Sequence, residues 1–245
     1  MFMREALTRT TADRFAWFWM IAEPTAHVVV MVMMRTFVMK GSLISGADFV
    51  PWMITGLLAF FLFREGLLRS LGAINANKGL FAYRQVKPID PVLVRCFIEG
   101  VLKTFVFLLF IAGGALLGMD IIPHDPLGAI ANWLSVWLLG VGAGLVVSAS
   151  DSLIPEIGRV VRIATLPLLI ISGVLFPLNF LPQDIQQYLL YNPIIHAIES
   201  LRLSFFAGYR SLNGVSMVYL WLCVLSLIAF GLILHIRYEK QLKAQ

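Results

Sequence analysis

Several charged side chains lie inside strongly apolar stretches of this sequence, and their spacing decides which of them can neutralise one another. Glu65 and Arg69 are four residues apart, as are Glu99 and Lys103, with the acid first in both pairs. This order favours contact along one helix. A cation at the middle of a bilayer costs about 2.5–3.5 kcal/mol on insertion scales, so we expect both pairs to form.

Two further arginines lack a partner on their own helix. Arg64 lies about 100° around the helix from Glu65, so we expect that it cannot share that carboxylate. Arg35 has no acid within four residues. Both cations could pair with acids on other helices, such as Glu99 or Glu23, or reach lipid headgroups. Alternatively, they form a positively charged path for an anionic ligand.

Residue types that support enzymatic chemistry are scattered. The four histidines are far apart, and no D-x-D or H-x-x-x-H motif occurs. The compact candidate is Asp120, His124 and Asp125 in one short loop, where a solvated turn is the ordinary alternative. A membrane-embedded transferase acting on polyprenyl-linked sugars is therefore kept as an alternative, and we predict neither catalytic residues nor a metal site. An ion-coupled transporter using Glu65 or Glu99 would need broken helices in matching halves, which the sequence lacks.

The elements that carry these residues are membrane helices. The chain is 59% hydrophobic and 13% charged, with a mean hydropathy of +0.85, which indicates that it lies mostly in lipid. A bilayer core requires about 20 apolar residues in helical form. We predict an all-α integral membrane protein, one transmembrane domain over residues 1–245, with six spans at residues 17–39, 49–71, 91–118, 127–149, 158–178 and 215–236.

The basic residues predict how these helices are oriented. Twelve of the 19 lie in the N-terminal segment, the connections after the second and fourth spans, and the C-terminal tail, whereas three lie on the opposite side. Because short cytoplasmic loops collect Lys and Arg, we expect both termini to be cytoplasmic. The first sixteen residues lack the apolar run of a secretory signal peptide, so we expect the first span to be retained. The net charge of +5 does not by itself indicate a nucleic-acid partner.

The stretch FPLNFLPQDIQQYLLYNP, residues 176–193, is too apolar for an ordinary loop and too rich in proline for an ordinary membrane helix. Pro182 suits the first turn of a short helix, which must end before Pro193. Asn192 can then cap a second helix about 20 Å long, too short to cross a bilayer. We predict a re-entrant helical hairpin in the outer leaflet over residues 179–213, with an amphipathic surface hairpin as the alternative. The residues that delimit it are Pro177, Pro182, Asn192 and Pro193.

Three stretches resemble a known family. The sequence SGVLFPLNFLP followed by NPIIHAIESLR is similar to the segment before the last span of polysaccharide-exporting ATP-binding-cassette (ABC) permeases, in which two short re-entrant helices cap the channel. KGLFAYRQVKPIDPVLVR, residues 78–95, resembles more specifically the capsular polysaccharide permeases of the KpsM type. Glu23 and Pro24 follow an N-terminal amphipathic segment, residues 1–16, as in that family. Permeases for O-antigen, teichoic acid or lipo-oligosaccharide share the hairpin pattern and are the alternative.

The resemblance implies a homodimeric, multi-pass exporter in the bacterial inner membrane that moves a lipid-linked acidic polysaccharide. It also implies two copies of a separate ATPase, which bind ATP and Mg²⁺, a periplasmic co-polymerase adaptor and an outer-membrane channel. The sequence contains no G-x-x-x-x-G-K-[ST] phosphate loop, so we expect no cofactor on this chain and assign ATP hydrolysis to the partner.

The resemblance also assigns roles to residues. The ATPase is expected to dock on residues 72–90, although a solvated basic loop is the alternative. The docking residues are Asn75, Lys78, Phe81, Tyr83 and Arg84. Phe15 and Trp19 share a helical face that would suit a lateral gate for sugar rings, or they belong to an ordinary interfacial aromatic belt.

A polar helix face is predicted by His196, Glu199 and Arg202, which recur every three residues. This face either holds the hairpin or contacts the emerging glycan. Arg202 therefore completes the expected substrate path, together with Arg35 and Arg64, which would attract the acidic polymer or the phosphate of its lipid anchor.

Overall fold

The computed structural model describes residues 16–38, 46–83 and 85–244, and this part of the protein is built from helices joined by short connections. Within these ranges there is no strand, in agreement with the predicted all-α class. The helices are α1 Ala16–Val38, α2 Phe49–Ser70, α3 Asp90–Leu116, α4 Pro126–Leu153, α5 Glu156–Ile171, α6 Gln183–Leu189, α7 Pro193–Phe205, α8 Met217–Arg237 and α9 Glu239–Ala244. Two 3₁₀ segments, Asn75–Ala82 and Leu178–Phe180, lie in the connections.

Side-chain caps fix where several helices begin. The Asp125 carboxylate accepts a hydrogen bond from the Gly128 amide at 3.0 Å and starts α4. The Asn192 side chain accepts one from the Ile194 amide at 3.0 Å and starts α7 at Pro193, as the sequence predicted. These caps satisfy amides that have no partner inside the helix. Pro182 precedes α6 rather than forming its first residue.

Helix α2 occupies the centre of the bundle and is buried along nearly its whole length. It contacts α1, α3, α4, α5 and α7, and α4 also packs along α8. The approach of α2 to α4 is close at Gly66 and Gly140, where a Cβ added to Gly140 would lie 3.1 Å from the carbonyl oxygen of Phe63. Small residues of this kind allow membrane helices to pack with their backbones in contact.

Among the residues that the structure describes, four helices, α2, α3, α4 and α8, are long and apolar enough to cross a membrane. Helix α1 contains a shorter apolar segment, Ile21–Met33. The fifth predicted span, residues 158–178, was wrong in its extent, because α5 has 16 residues and ends at Ile171. The chain turns at Gly173, whose φ of +68° favours glycine, so the helix cannot continue to residue 178.

Helices α1 and α5 present large apolar side chains on the outside of the chain. Trp19 is 62% exposed on α1, and Ile163 is 73% exposed on α5. The other exposed apolar residues on these helices include Phe18, Val30, Met33, Val160, Leu166 and Ile170. Such surfaces suit lipid or another membrane helix rather than water.

Candidate functional site

A chain of ion pairs joins α1, α2 and α3. Nη1 of Arg64 lies 3.4 Å from Oε1 of Glu23 and 3.7 Å from Oε1 of Glu65. Nε of Arg69 lies 3.1 Å from Oε2 of Glu65 and 3.5 Å from Oε1 of Glu99. The predicted pair of Glu65 with Arg69 is therefore present, and Glu23 is the partner on another helix that the sequence proposed for Arg64.

The expectation that Arg64 cannot share Glu65 was wrong. Adjacent positions on a helix point about 100° apart, but that angle describes where the side chains start. The long arginine side chain extends back towards its neighbour, so one guanidinium lies near both Glu23 and Glu65. The Arg64 guanidinium also lies 5.8 Å from the ring centroid of Phe61.

These ion pairs line one side of a cleft of about 450 Å³, which we call the arginine cleft. Its lining residues are Glu23, Arg64, Glu65, Leu68, Arg69, Leu71, Arg95 and Arg162. Nη1 of Arg95 donates a hydrogen bond to the carbonyl oxygen of Arg69 at 3.2 Å. The cleft thus lies where α2 ends and where α3 and α5 begin, and it contains four arginines and two glutamates.

Sequence reasoning missed Arg95 and Arg162 as site residues. Both were counted only as charges that orient the protein. A signal for their role was present in the sequence. Arg95 and Arg162 each follow the start of a predicted span, and because successive spans cross the membrane in opposite directions, those starts lie on the same side of the membrane as the end of α2. Their convergence on Arg64 and Arg69 nevertheless depends on tertiary packing, which residue spacing alone does not encode.

The other expected charges and aromatic residues of the path are more dispersed. The Lys103 ammonium lies 5.6 Å from the ring centroid of Phe61 inside the bundle. Trp19 is exposed and contacts Phe18 edge to face. Phe15, Arg84 and the side chain of Arg35 lie outside the described residues, as does the segment 1–15.

Arg202 lies inside the bundle, which favours the use in which the polar face of α7 holds the hairpin. Its side chain is fully buried, and Nη1 donates to Oε1 of Glu199 at 2.9 Å and to the carbonyl oxygen of Gly173 at 2.8 Å. Its guanidinium carbon lies 3.5 Å from the ring centroid of Trp52. The residue therefore joins α7 to α2 and to the turn after α5, and in this conformation it borders no open path.

The carboxylate of Glu199 is held by a second donor. The hydroxyl group of Tyr209 donates to Oε2 of Glu199 at 2.9 Å. Burial raises the pKa of Tyr209 to about 12, so the hydroxyl keeps its proton at neutral pH and remains a donor. With Arg202 and Tyr209 together, the buried carboxylate has the partners that it needs.

His196 connects α7 to the start of α8. Its Nδ1 accepts a hydrogen bond from the Ser216 amide at 3.0 Å, so the proton of the neutral ring lies on Nε2. Nε2 then donates to the carbonyl oxygen of Leu190 at 2.8 Å. The sequence left two uses open for this residue, and these hydrogen bonds favour the one in which it holds α7 to the start of α8.

The expected docking segment divides into an inward and an outward face. Phe81 is buried among Val92, Cys96 and Leu242, whereas Tyr83 is 68% exposed. The Gly72 amide donates to Oδ2 of Asp151 at 3.0 Å, which attaches the segment to the end of α4. Asn75 is exposed, and Lys78 is half-buried.

Comparison with known proteins identifies the family. No family model matches the chain. The chain is 34% identical over 235 residues to the polysialic acid transport protein KpsM of Escherichia coli, a match that covers 96% of this chain and 90% of the relative. The chain belongs to the KpsM family.

Other relatives in the KpsM family are named capsule polysaccharide export inner-membrane proteins. CtrC of Neisseria meningitidis is 27% identical over 245 residues, and BexB of Haemophilus influenzae is 26% identical over the same length. Each match covers 100% of this chain and 92% of the relative. These relatives confirm the resemblance that residues 78–95 indicated, and this KpsM-family chain is a multi-pass inner-membrane protein of a capsule export system.

Proposed function

We propose that the chain is the channel-forming subunit of an ATP-driven exporter that moves a lipid-linked, acidic capsular polysaccharide across the inner membrane. The observation that carries this proposal is its similarity, over nearly its whole length, to proteins named for capsule polysaccharide export. These names favour a capsule over O-antigen, teichoic acid or lipo-oligosaccharide. The chain has no phosphate loop, so a separate ATPase supplies the energy.

Two copies of the chain form the channel in this proposal. Helices α1 and α5 pack less extensively on the rest of the chain than α2 or α4 do, and they leave Trp19, Ile163 and other large apolar residues exposed. A second copy seated against α1 and α5 would bury these surfaces and enclose a path between the two subunits. Helices α1 and α5 would then cross the membrane together with α2, α3, α4 and α8. The six spans place both termini on the same side, which the basic residues indicate is the cytoplasm.

The α6–α7 pair is the re-entrant hairpin of the proposed channel. Backbone that leaves a helix at membrane depth must have its polar groups satisfied inside the protein. Several carbonyl groups in this region receive side-chain donors, among them those of Gly173 and Val174 from Arg202 and that of Leu190 from His196. This internal satisfaction supports a hairpin that lies within the outer leaflet rather than on its surface.

The ATPase docks, we propose, on the outward face of residues 72–90. Asn75 and Tyr83 are exposed there, while Phe81 supports the segment from inside. At the opposite end, a periplasmic co-polymerase adaptor and an outer-membrane channel would receive the glycan.

A deletion in the bacterial host tests the proposal. The acidic glycan is assayed separately in the cytoplasm and at the cell surface, with the wild-type gene restored as the control. Lipid-linked polymer that accumulates inside while the surface loses it establishes an exporter and identifies its cargo. Loss of all polymer, with no internal pool, contradicts export and favours an enzyme of polymer synthesis.

A further inference from the structure

The arginine cleft carries more positive than negative charge. Four arginines and two glutamates line it, and Glu99 lies 3.5 Å from Arg69 just beneath the lining. With these groups in their usual charge states, at least one positive charge remains. An anionic group that enters the cleft would therefore be attracted to it.

The arginines of the cleft retain hydrogen-bond donors for a ligand. Arg64 lies 3.4 and 3.7 Å from its two carboxylates, beyond the 2.7–2.9 Å of strong charge-assisted bonds. Within the part of the chain that the structure describes, the side chain of Arg162 has no hydrogen-bond or ion-pair partner. The side chains of Arg64 and Arg69 are 29% and 46% exposed, so a ligand can reach them.

The cleft lies near the boundary between the lipid headgroups and the hydrocarbon core of the cytoplasmic leaflet in the proposed orientation. Arg64 is six residues before the end of α2 at Ser70, and Arg162 is six residues after the start of α5 at Glu156. Six helical residues correspond to about 9 Å. The headgroup layer on each side of a bilayer core is about 5–8 Å thick. The backbone at these arginines thus lies at the edge of the hydrocarbon core, and their long side chains can extend to the headgroups of the cytoplasmic leaflet, where a lipid-linked glycan begins its passage.

An apolar surface for a lipid tail adjoins the cleft. Ile163 follows Arg162 on α5 and is 73% exposed, and Leu166, one turn away, is 70% exposed. A phosphate bound at Arg162 could therefore keep its hydrocarbon chain against α5 without leaving the bilayer. Free phosphate would gain nothing from this surface.

We infer that the arginine cleft binds the phosphate group of the lipid anchor that carries the polysaccharide. Guanidinium groups bind phosphate oxygens through two parallel hydrogen bonds, and several arginines can share one phosphate. The volume of about 450 Å³ falls in the range of small-ligand sites and has room for the phosphate and an attached sugar. This inference rests on the proposed function, because it requires a lipid-linked substrate.

Binding to the full chain, purified with its ATPase in a neutral detergent, tests the inference. The probe is dioctanoyl phosphatidic acid, measured by native mass spectrometry, with dioctanoylglycerol as the lipid that lacks phosphate and inorganic phosphate as the free anion. We expect the phosphatidic acid to bind, dioctanoylglycerol not to bind, and inorganic phosphate to displace the probe only in large excess. Arg162→Gln should weaken binding about tenfold, which corresponds to one lost charge-assisted contact.

The matched control is Arg159→Gln, which removes the same charge from the same exposed side of α5 but outside the cleft. Arg162→Lys should bind with intermediate affinity, because the charge remains and the planar fork is lost. Equal binding by wild type and Arg162→Gln, or equal loss in Arg159→Gln, would overturn the inference. If inorganic phosphate displaced the phosphatidic acid at a concentration similar to that of the probe, the inference that the cleft binds a phosphate carried by a lipid would fail.

Export in cells separates failure of this inference from failure of the proposed function. If deletion of the gene leaves the surface glycan unchanged, the proposed function fails. If deletion removes the surface glycan and the chain with both Arg95→Gln and Arg162→Gln restores it fully, the export function stands and the cleft has no role in it. We expect the double variant to leave glycan inside the cell.

Discussion

The guanidinium carbon of Arg202 lies over the ring of Trp52, 3.5 Å from the ring centroid, and both side chains are fully buried. One face of the cation thus contacts an aromatic ring, while Nη1 reaches Glu199 and the carbonyl oxygen of Gly173. A cation over a desolvated indole ring is stabilised by about 2 kcal/mol. This contact fixes the position of the hairpin helix α7 relative to the central helix α2.

Replacing Arg202 should destabilise the fold strongly. In Arg202→Ala, Glu199 keeps only the Tyr209 hydroxyl as a donor and remains buried, and breaking a buried ion pair in this way costs about 3–5 kcal/mol. Thermal unfolding in detergent measures the effect. Arg210→Ala is the matched control, since Arg210 is exposed. Equal stability of the two variants would contradict the assigned role.

Gly56 on α2 should tolerate no side chain. A Cβ at this position would lie 2.2 Å from Nη2 of Arg202, and the guanidinium cannot move away without leaving Trp52 or Glu199. We expect Gly56→Ala to lower the free energy of unfolding by about 1–3 kcal/mol. Gly113→Ala is the control, because nothing lies within 4 Å of a Cβ at Gly113. It should be neutral or stabilising by up to about 1 kcal/mol, and the prediction fails if both variants unfold alike.

Tyr83 and Phe81 should respond differently to truncation. Tyr83→Ala removes an exposed side chain, so stability should change by less than about 0.5 kcal/mol while co-purification of the ATPase weakens. Phe81→Ala leaves a cavity and should destabilise the chain by about 3–5 kcal/mol. Tyr188→Ala, at an exposed tyrosine of α6, is the control for co-purification. Undiminished co-purification with Tyr83→Ala would exclude this tyrosine from the docking surface.

The orientation of the chain predicts which cysteines an impermeant maleimide reaches. In a chain carrying Cys223→Ser, the buried Cys96 should not react. Asp120→Cys should be labelled in intact spheroplasts, because Asp120 is exposed in the connection between α3 and α4, which lies on the outer side in the proposed orientation. Lys240→Cys, at an exposed position of α9, should be labelled only after the membrane is opened. The reverse pattern would place the termini outside the cytoplasm.

Local features of the fold were predictable because they depend on neighbouring residues. The start of α7 follows from the capping side chain of Asn192 and the fixed backbone angle of Pro193. Apolar runs predicted the other long helices within a few residues. The end of α5 was missed because a positive φ at Gly173 interrupts an apolar run that hydropathy treats as continuous. The sequence left the use of Arg202 open, because residue spacing places it on one face with Glu199 but does not reveal Trp52, which is 150 residues away in sequence.

The candidate site was predictable only in part. The pair Glu65–Arg69 follows from spacing on one helix, and Glu23 was a possible partner of Arg64. That Arg95 and Arg162 face the same cleft follows from the packing of three helices, which no local pattern specifies.

The apolar cluster beneath the docking segment has a mechanical consequence. Ile74 and Phe81 of that segment share one cluster with Leu145 of α4 and Leu242 of α9. The segment is therefore packed against two helices of the bundle rather than attached to them only through its ends. If the proposed ATPase moves this segment, the displacement would act directly on α4, which also contacts α7.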